Sequence, residues 1–250
     1  LSSTQIGSFS TSAVAALTTA QVLQGIGTDI LGFSTSQMTA LTTAQVSSLT
    51  TFQVSLLSTR QISGFESQDA AALPTANILT LTSAQLSGFS TQAIFAMSTL
   101  QLVNGFGTDI SGLTTAQIAA LSTSQFIALT TDQLAASTGI GFGTDQIVAL
   151  GSDQVGGLST TGLVSLTTAQ VSAIETTDLV GLLASQIAAF TSSQTRGLAT
   201  DQIVALSSDQ VVSLTSLQVS ALLTSQITAI ETADFQRLGI AQVGALGTSQ

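Results

Sequence analysis

Cysteine, histidine, lysine, tryptophan and tyrosine are all absent from this 250-residue chain. Without cysteine there are no disulfides and no thiolate metal sites. Without histidine or lysine the abundant serine and threonine hydroxyls have no general base beside them, so no catalytic residue is expected and the chain does not read as an enzyme. Arg60, Arg196 and Arg237 are the only cations against thirteen acids, and the net charge of −10 would be repelled by a nucleic-acid backbone. Charged residues make up 6% of the chain, against about 25% in ordinary soluble domains. Long apolar runs are missing too. The mean hydropathy is +0.54, yet Ser, Thr or Gln interrupts every apolar stretch well short of the roughly 20 residues that span a bilayer, so no membrane insertion is expected. No basic segment precedes an apolar core at Leu1, so no cleaved leader is expected there, and a chain that does not open on Met is expected to be processed or part of a longer one.

What is present is one eight-residue phrase, L-[ST]-T-x-Q-[VIL]-x-[AG], as in Leu41-Thr42-Thr43-Ala44-Gln45-Val46-Ser47-Ser48. Starting a unit at each large apolar residue gives 31 starts, all Leu, Phe, Ile or Met. A short fixed period implies a stack of like units, each resting on its neighbours. The expected organisation is a single continuous octapeptide-repeat solenoid over residues 1–250.

Comparison among units assigns the positions. Positions 1 and 6 are persistently apolar, apart from Ala70 and Thr195 at position 6, and position 8 is usually small. These point inward. Positions 4 and 7 vary freely and point outward. Position 3 is Ser or Thr in 29 of 31 units, Ala184 and Ile240 being the exceptions. Short hydroxyls at a fixed point ahead of Gln and an aliphatic residue read as helix N-caps. A cap at position 2, with the position-5 Gln closing a capping box, is the alternative, but Glu66, Pro74 and Leu183 at position 2 favour position 3. Asp132, Asp153, Asp201 and Asp209 at position 4 then fall in the first turn, where the helix dipole favours negative charge.

One continuous helix is excluded, because eight residues at about 100° each rotate the apolar stripe by about 80° per unit. The chain must turn once per octad. The expected fold is all-α, a solenoid of helices of about six residues that stacking alone stabilises. A β-solenoid is the alternative, favoured by Thr, Ser and Val and by a Gln row that could form a side-chain ladder. Against it stand the Ala and Leu content and the lack of period-two alternation.

Three irregular stretches carry acids. Gly25-Ile26-Gly27-Thr28-Asp29 and Gly105-Phe106-Gly107-Thr108-Asp109 lie 80 residues apart, and Gly141-Phe142-Gly143-Thr144-Asp145 follows a slip through Ser137-Thr138-Gly139-Ile140. They read as corners where Gly permits unusual backbone angles, or as Ca²⁺ sites through Asp29, Asp109 and Asp145. Glu175 with Asp178 and Glu231 with Asp234, and more loosely Glu66 with Asp69, set two carboxylates three residues apart. They read as dipole-matched helix starts, or again as Ca²⁺ ligands. No cofactor is otherwise implied.

The run Leu113-Thr114-Thr115-Ala116-Gln117-Ile118-Ala119-Ala120-Leu121-Ser122-Thr123-Ser124-Gln125 resembles the LTTAQVAAL-type repeat tracts of large secreted proteobacterial surface and adhesin proteins, haemagglutinin-like or RTX-adhesin-like. The resemblance implies an extracellular, cell-surface location and a role in adhesion, a surface layer or a filament. No Gly-Gly-x-Gly-x-Asp nonapeptide is present to carry over calcium binding, and no His, Cys or Tyr could ligate haem iron; Met38 and Met97 read as core. The expectation is a structural protomer that self-associates into a filament or lattice, aided by apolar residues at outward positions (Phe52, Leu100, Ile127, Val148, Val212). An adhesin stalk that presents a binding head and a glycan- or ice-binding module are the alternatives, each making cell-surface or glycan contact.

Overall fold

The computed structural model describes residues 2–137, 141–248 and 250. Every regular element among them is a helix, and none contains more than six residues. This is the all-α solenoid, and no strand occurs among the described residues. Two compact units are distinguished, residues 1–129 and 130–250. Within each, a helix packs on the third helix along, as Thr35–Thr39 does on Thr59–Ile62 and Ala184–Ala189 on Ser208–Ser213. Three octads therefore make one turn, and each unit is a three-sided coil.

The N-cap lies at position 2, which corrects the expected position 3. Thr42, at φ −78° and ψ 155°, accepts from the Gln45 N–H, and the Gln45 Oε1 accepts from the Thr42 N–H at 2.7 Å. Helices run from position 3 towards position 8, and the corner is the extended pair at positions 1 and 2, as at Leu49 and Thr50. Leu183 fits this scheme because only its backbone N–H is needed: it donates to Gln186 Oε1 at 2.6 Å. Pro74 has no N–H to donate, and its unit carries Asn77 where others carry Gln.

Position 3 is the first helical residue, and its hydroxyl works between coils. Thr35, Thr59 and Ser152 each donate to the backbone carbonyl 25 residues ahead, Arg60, Ala84 and Thr177, at 3.0 to 3.2 Å. Positions 1 and 6 form the core, as expected. Val46, Ala70 and Ile94, 24 residues apart, are fully buried, and the rings of Phe65 and Phe89 stack with centroids 6.3 Å apart. Thr195, the polar exception at position 6, is equally buried and donates its hydroxyl to the Thr191 carbonyl, a bond that removes the desolvation cost. Position 8 is small because coils meet there. A Cβ on Gly181 would stand 2.2 Å from the Ser152 carbonyl oxygen of the previous turn.

The irregular stretches are length corrections. The unit starting at Leu17 has nine residues and ends in a π-helix, Gln21–Ile26, whose wider turn absorbs one residue, and the seven-residue unit that follows from Ile26 holds the tighter 3₁₀-helix Gly27–Gly32. Gln101–Gly105 and Asp109–Gly112 repeat the pairing. Gly27 and Gly107 both sit at φ +52°, a region that L side chains avoid. Gly141 also has positive φ, while Thr138, Gly139 and Ile140 lie outside the described residues.

Candidate functional site: the glutamine row, the acidic units and the outer faces

Helices this short leave most of their terminal N–H and C=O groups without internal partners. The position-5 Gln answers both ends. While its Oε1 closes the capping box of its own helix, its Nε2 reaches the turn below. Gln202 donates to the carbonyls of Ile174 (2.7 Å) and Val171 (3.1 Å), 28 and 31 residues earlier. Gln37, Gln45, Gln61, Gln101, Gln117, Gln194, Gln210 and Gln218 do the same to their own position-1 and position-6 carbonyls. These side chains are buried. The Gln row does connect coils, but it runs side chain to backbone and not as a Gln–Gln ladder.

Where another residue takes the Gln slot the chemistry changes. Asn77 keeps the donor and reaches the Leu49 carbonyl at 2.7 Å. Asp69, Asp178 and Asp234 also lie buried in this slot, and each has Glu at position 2 of the same unit: Glu66, Glu175 and Glu231. A carboxylate has no N–H for the turn below. Asp69 Oδ2 accepts from the Glu66 N–H at 3.3 Å, and burial, then the nearby Glu66 charge, push its carboxyl above the usual range although that hydrogen bond pulls it back.

Asp69 thus carries a pH signature. Between the ordinary carboxylate pKa and the raised folded one, the native state holds a proton that the unfolded chain has released. Stability therefore falls as pH rises through that window and stays lower above it. Asp69→Asn restores the donor seen at Asn77 and should stabilise the protein by about 1 kcal/mol at pH 7. Urea unfolding should show the advantage shrinking near pH 3, where the aspartate is neutral in both states.

The remaining sequence candidates are scattered. Asp29 Oδ1 accepts from Ser3 Oγ at 3.0 Å and Asp178 Oδ1 from Ser152 Oγ at 2.9 Å, both bonds between turns. Asp145 is exposed in the first turn of Thr144–Val148, and the Asp109 side chain lies outside what is described. Glu175 and Asp178 share one helix start, as do Glu231 and Asp234. Among the described residues no three His, Cys, Asp or Glu side chains come together as a cation site would need. Asp132, Asp153, Asp201 and Asp209 occupy first turns, as the dipole argument expects. Arg237 reaches Asp209 on the neighbouring turn at 3.1 Å, not the acids of its own unit. Exposed as it is, this pair contributes little.

The outward positions hold mostly Ser, Thr, Ala and Gln, and the surface depressions are open grooves between stacked helices, such as that lined by Thr39, Ser63, Glu66, Gln68, Ser90 and Gln92. Phe52, Leu100, Ile127 and Val148 are exposed as expected, whereas Val212 is half-buried. No helix among the described residues is long and apolar enough to cross a membrane. Sequence reasoning did not anticipate the bonds from the Gln amide to the turn below, although the persistence of Gln at one position was their visible trace.

Compared with known families, residues 108–137 and 171–208 match the ALTTAQ repeat. The chain therefore contains a repeat region similar to that family. No curated protein matches it.

Proposed function

We propose that this chain is a non-catalytic structural protein of the bacterial cell exterior, a protomer that self-associates into a surface filament or surface layer. The observation that carries this reading is the use of its polar chemistry. In unit after unit, the buried position-5 Gln binds the backbone of its own helix and of the turn below, as Gln117 does through Thr114, Leu86 and Phe89. Such side chains build a scaffold and are not presented to a substrate. The repeat match supports the structural part of the reading, and the resemblance to secreted surface proteins supports the location. A surface with 6% charged residues in the whole chain and exposed Phe, Leu and Val at outward positions supports association between copies.

The test is negative-stain electron microscopy with light scattering on the purified chain. Fibres or sheets of uniform width should form. A monodisperse monomer at high concentration, with and without Ca²⁺, would defeat the reading.

A further inference from the structure

The large exposed apolar residues of the first unit are not spread evenly over its three sides. Leu31, Phe52, Leu79, Leu100 and Ile127, between 43 and 60% exposed, come from every third octad and so stand on one side. The helices concerned are stacked: Gly27–Gly32 on Thr51–Ser55, that on Thr75–Ile78, and that on Gln101–Gly105. Gln125 then bonds to the Met97 carbonyl from the octad above. The second side, with the octads starting at Phe33, Leu57, Leu81 and Phe106, holds no large exposed apolar residue, and the third holds Leu23 and Phe95.

Charge is distributed the opposite way. Of the five octads on this side, those starting at Leu49, Leu73, Met97 and Leu121 contain no charged residue at all, and the one starting at Ile26 carries Asp29 at the end of the face, where it accepts from Ser3 Oγ; Arg60, Glu66, Asp69 and Asp109 belong to octads of the other two sides. In a chain of net charge −10, copies repel one another at most approaches. Over the four octads from Leu49 to Leu121 this side lets them meet without like charges opposed.

The pattern is also self-complementary. Positions 4 and 7 are three apart on a helix and lie side by side on its outer surface. Phe52 is large at position 4 with Ser55 at 7; Ala76 is small at 4 with Leu79 at 7; Leu100 is large at 4 with the half-buried Val103 at 7; and Ser124 is small at 4 with Ile127 at 7. Large and small alternate from rung to rung like a checkerboard. Turning a second copy about a two-fold axis lying in the face, either along the stack or across it midway between two rungs, sets large residues over smaller positions.

We propose that this side of the first unit is an isologous, two-fold interface with a second copy of the same chain. The inference rests on the self-association reading and names the surface that carries it. The five side chains offer about 500 Å² per copy, as large as the biggest apolar patches on ordinary monomers and more than half of the ~800 Å² that a standard interface buries on each partner. Small residues between the rungs supply the rest.

Sedimentation velocity tests it, alongside electron microscopy. The wild-type chain should pair in a concentration-dependent way. Leu79→Asp with Leu100→Asp should weaken pairing at least tenfold with unchanged circular dichroism and melting temperature, while Val180→Asp with Val204→Asp in the second unit should not. Because the chain has no cysteine, a spin label on Ala76→Cys reports one site, and it should show an inter-chain distance within the range of pulsed dipolar spectroscopy. The same label on Ser63→Cys, on the second side, should give a longer one. Pairing that survives both aspartates, or a wild-type monomer that instead floats with phosphatidylcholine vesicles, overturns the proposal. Fibres of unchanged width from the double aspartate variant overturn the interface and leave the filament reading standing; pairs that never lengthen into fibres do the reverse.

Discussion

Gln194→Leu should lower the unfolding free energy by about 2–4 kcal/mol, a large share of the stability of a typical domain. The wild-type amide accepts from the Thr191 N–H at 2.8 Å and donates to the carbonyls of Leu163 and Leu166 at 2.8 Å each. Leucine fills the same space, so the loss is not a cavity. Leu163 keeps the bond from the Leu166 N–H, but the Leu166 carbonyl loses the bond that ties it to the next turn, and the Thr191 N–H is left to water. Gln194→Glu separates the two halves of the side chain. It retains the acceptor and, when ionised, turns a negative oxygen towards two carbonyl oxygens. Its folded pKa should therefore be raised, and its deficit should be greatest at neutral pH and shrink as pH falls through that pKa. The exposed Gln92, in position 4, is the control, and Gln92→Leu should change stability by no more than about 0.5 kcal/mol. Urea midpoints for the variants decide it; a Gln194→Leu protein as stable as wild type would mean that the row does not hold the turns together.

The same side chain shows what was readable in the sequence. The eight-residue period, the inward positions and the short helices follow from the spacing of residues such as Leu41, Val46 and Leu49, because a helix cannot keep one face buried across an eight-residue repeat. The cap was misplaced for a physical reason. Thr35 and Thr59 owe their hydroxyls to carbonyls 25 residues ahead, a requirement that local helix chemistry does not contain. Leu183 weighs against a cap at position 2 by its side chain, yet the Gln half of the box needs only a main-chain N–H, which leucine has. Three octads per turn could not be read from the units themselves, since a repeat states its own length and not the angle between successive copies. That angle enters through pairs such as Gln202 with Ile174. The apolar side of the first unit was hidden for the same reason: Phe52, Leu79 and Leu100 are 27 and 21 residues apart, and no period links them until the three-sided coil is known.

A fold whose contacts recur every 24 residues should tolerate loss of a whole turn and fail on loss of half of one. Removing residues 190–213 joins Ala189 to Leu214, a position-8 residue to a position-1 residue, and returns every later octad to its own side. Gln218 then faces the carbonyls formerly used by Gln194, Leu163 and Leu166, in place of Ile187 and Phe190. All of these are equivalent positions. That protein should unfold cooperatively, with a denaturant slope reduced in proportion to the surface removed and a stability lower by one set of neighbour contacts. Removing residues 190–201 joins Ala189 directly to Gln202. The chain then passes from position 8 to position 5 with no corner between, the octads on either side are displaced by half a unit, and the slots above the cut oppose positions 5 and 2 (for Gln210, Gln170 and Thr167) in place of position-1 and position-6 carbonyls. With helices of at most six residues that have no stability of their own, the turns on either side of that cut have nothing to rest on. The shorter deletion should therefore be far more damaging than the longer one, with loss of cooperative unfolding and of helical circular dichroism beyond the share of residues removed. Equal damage from the two deletions would show that stability does not pass from turn to turn through matched positions.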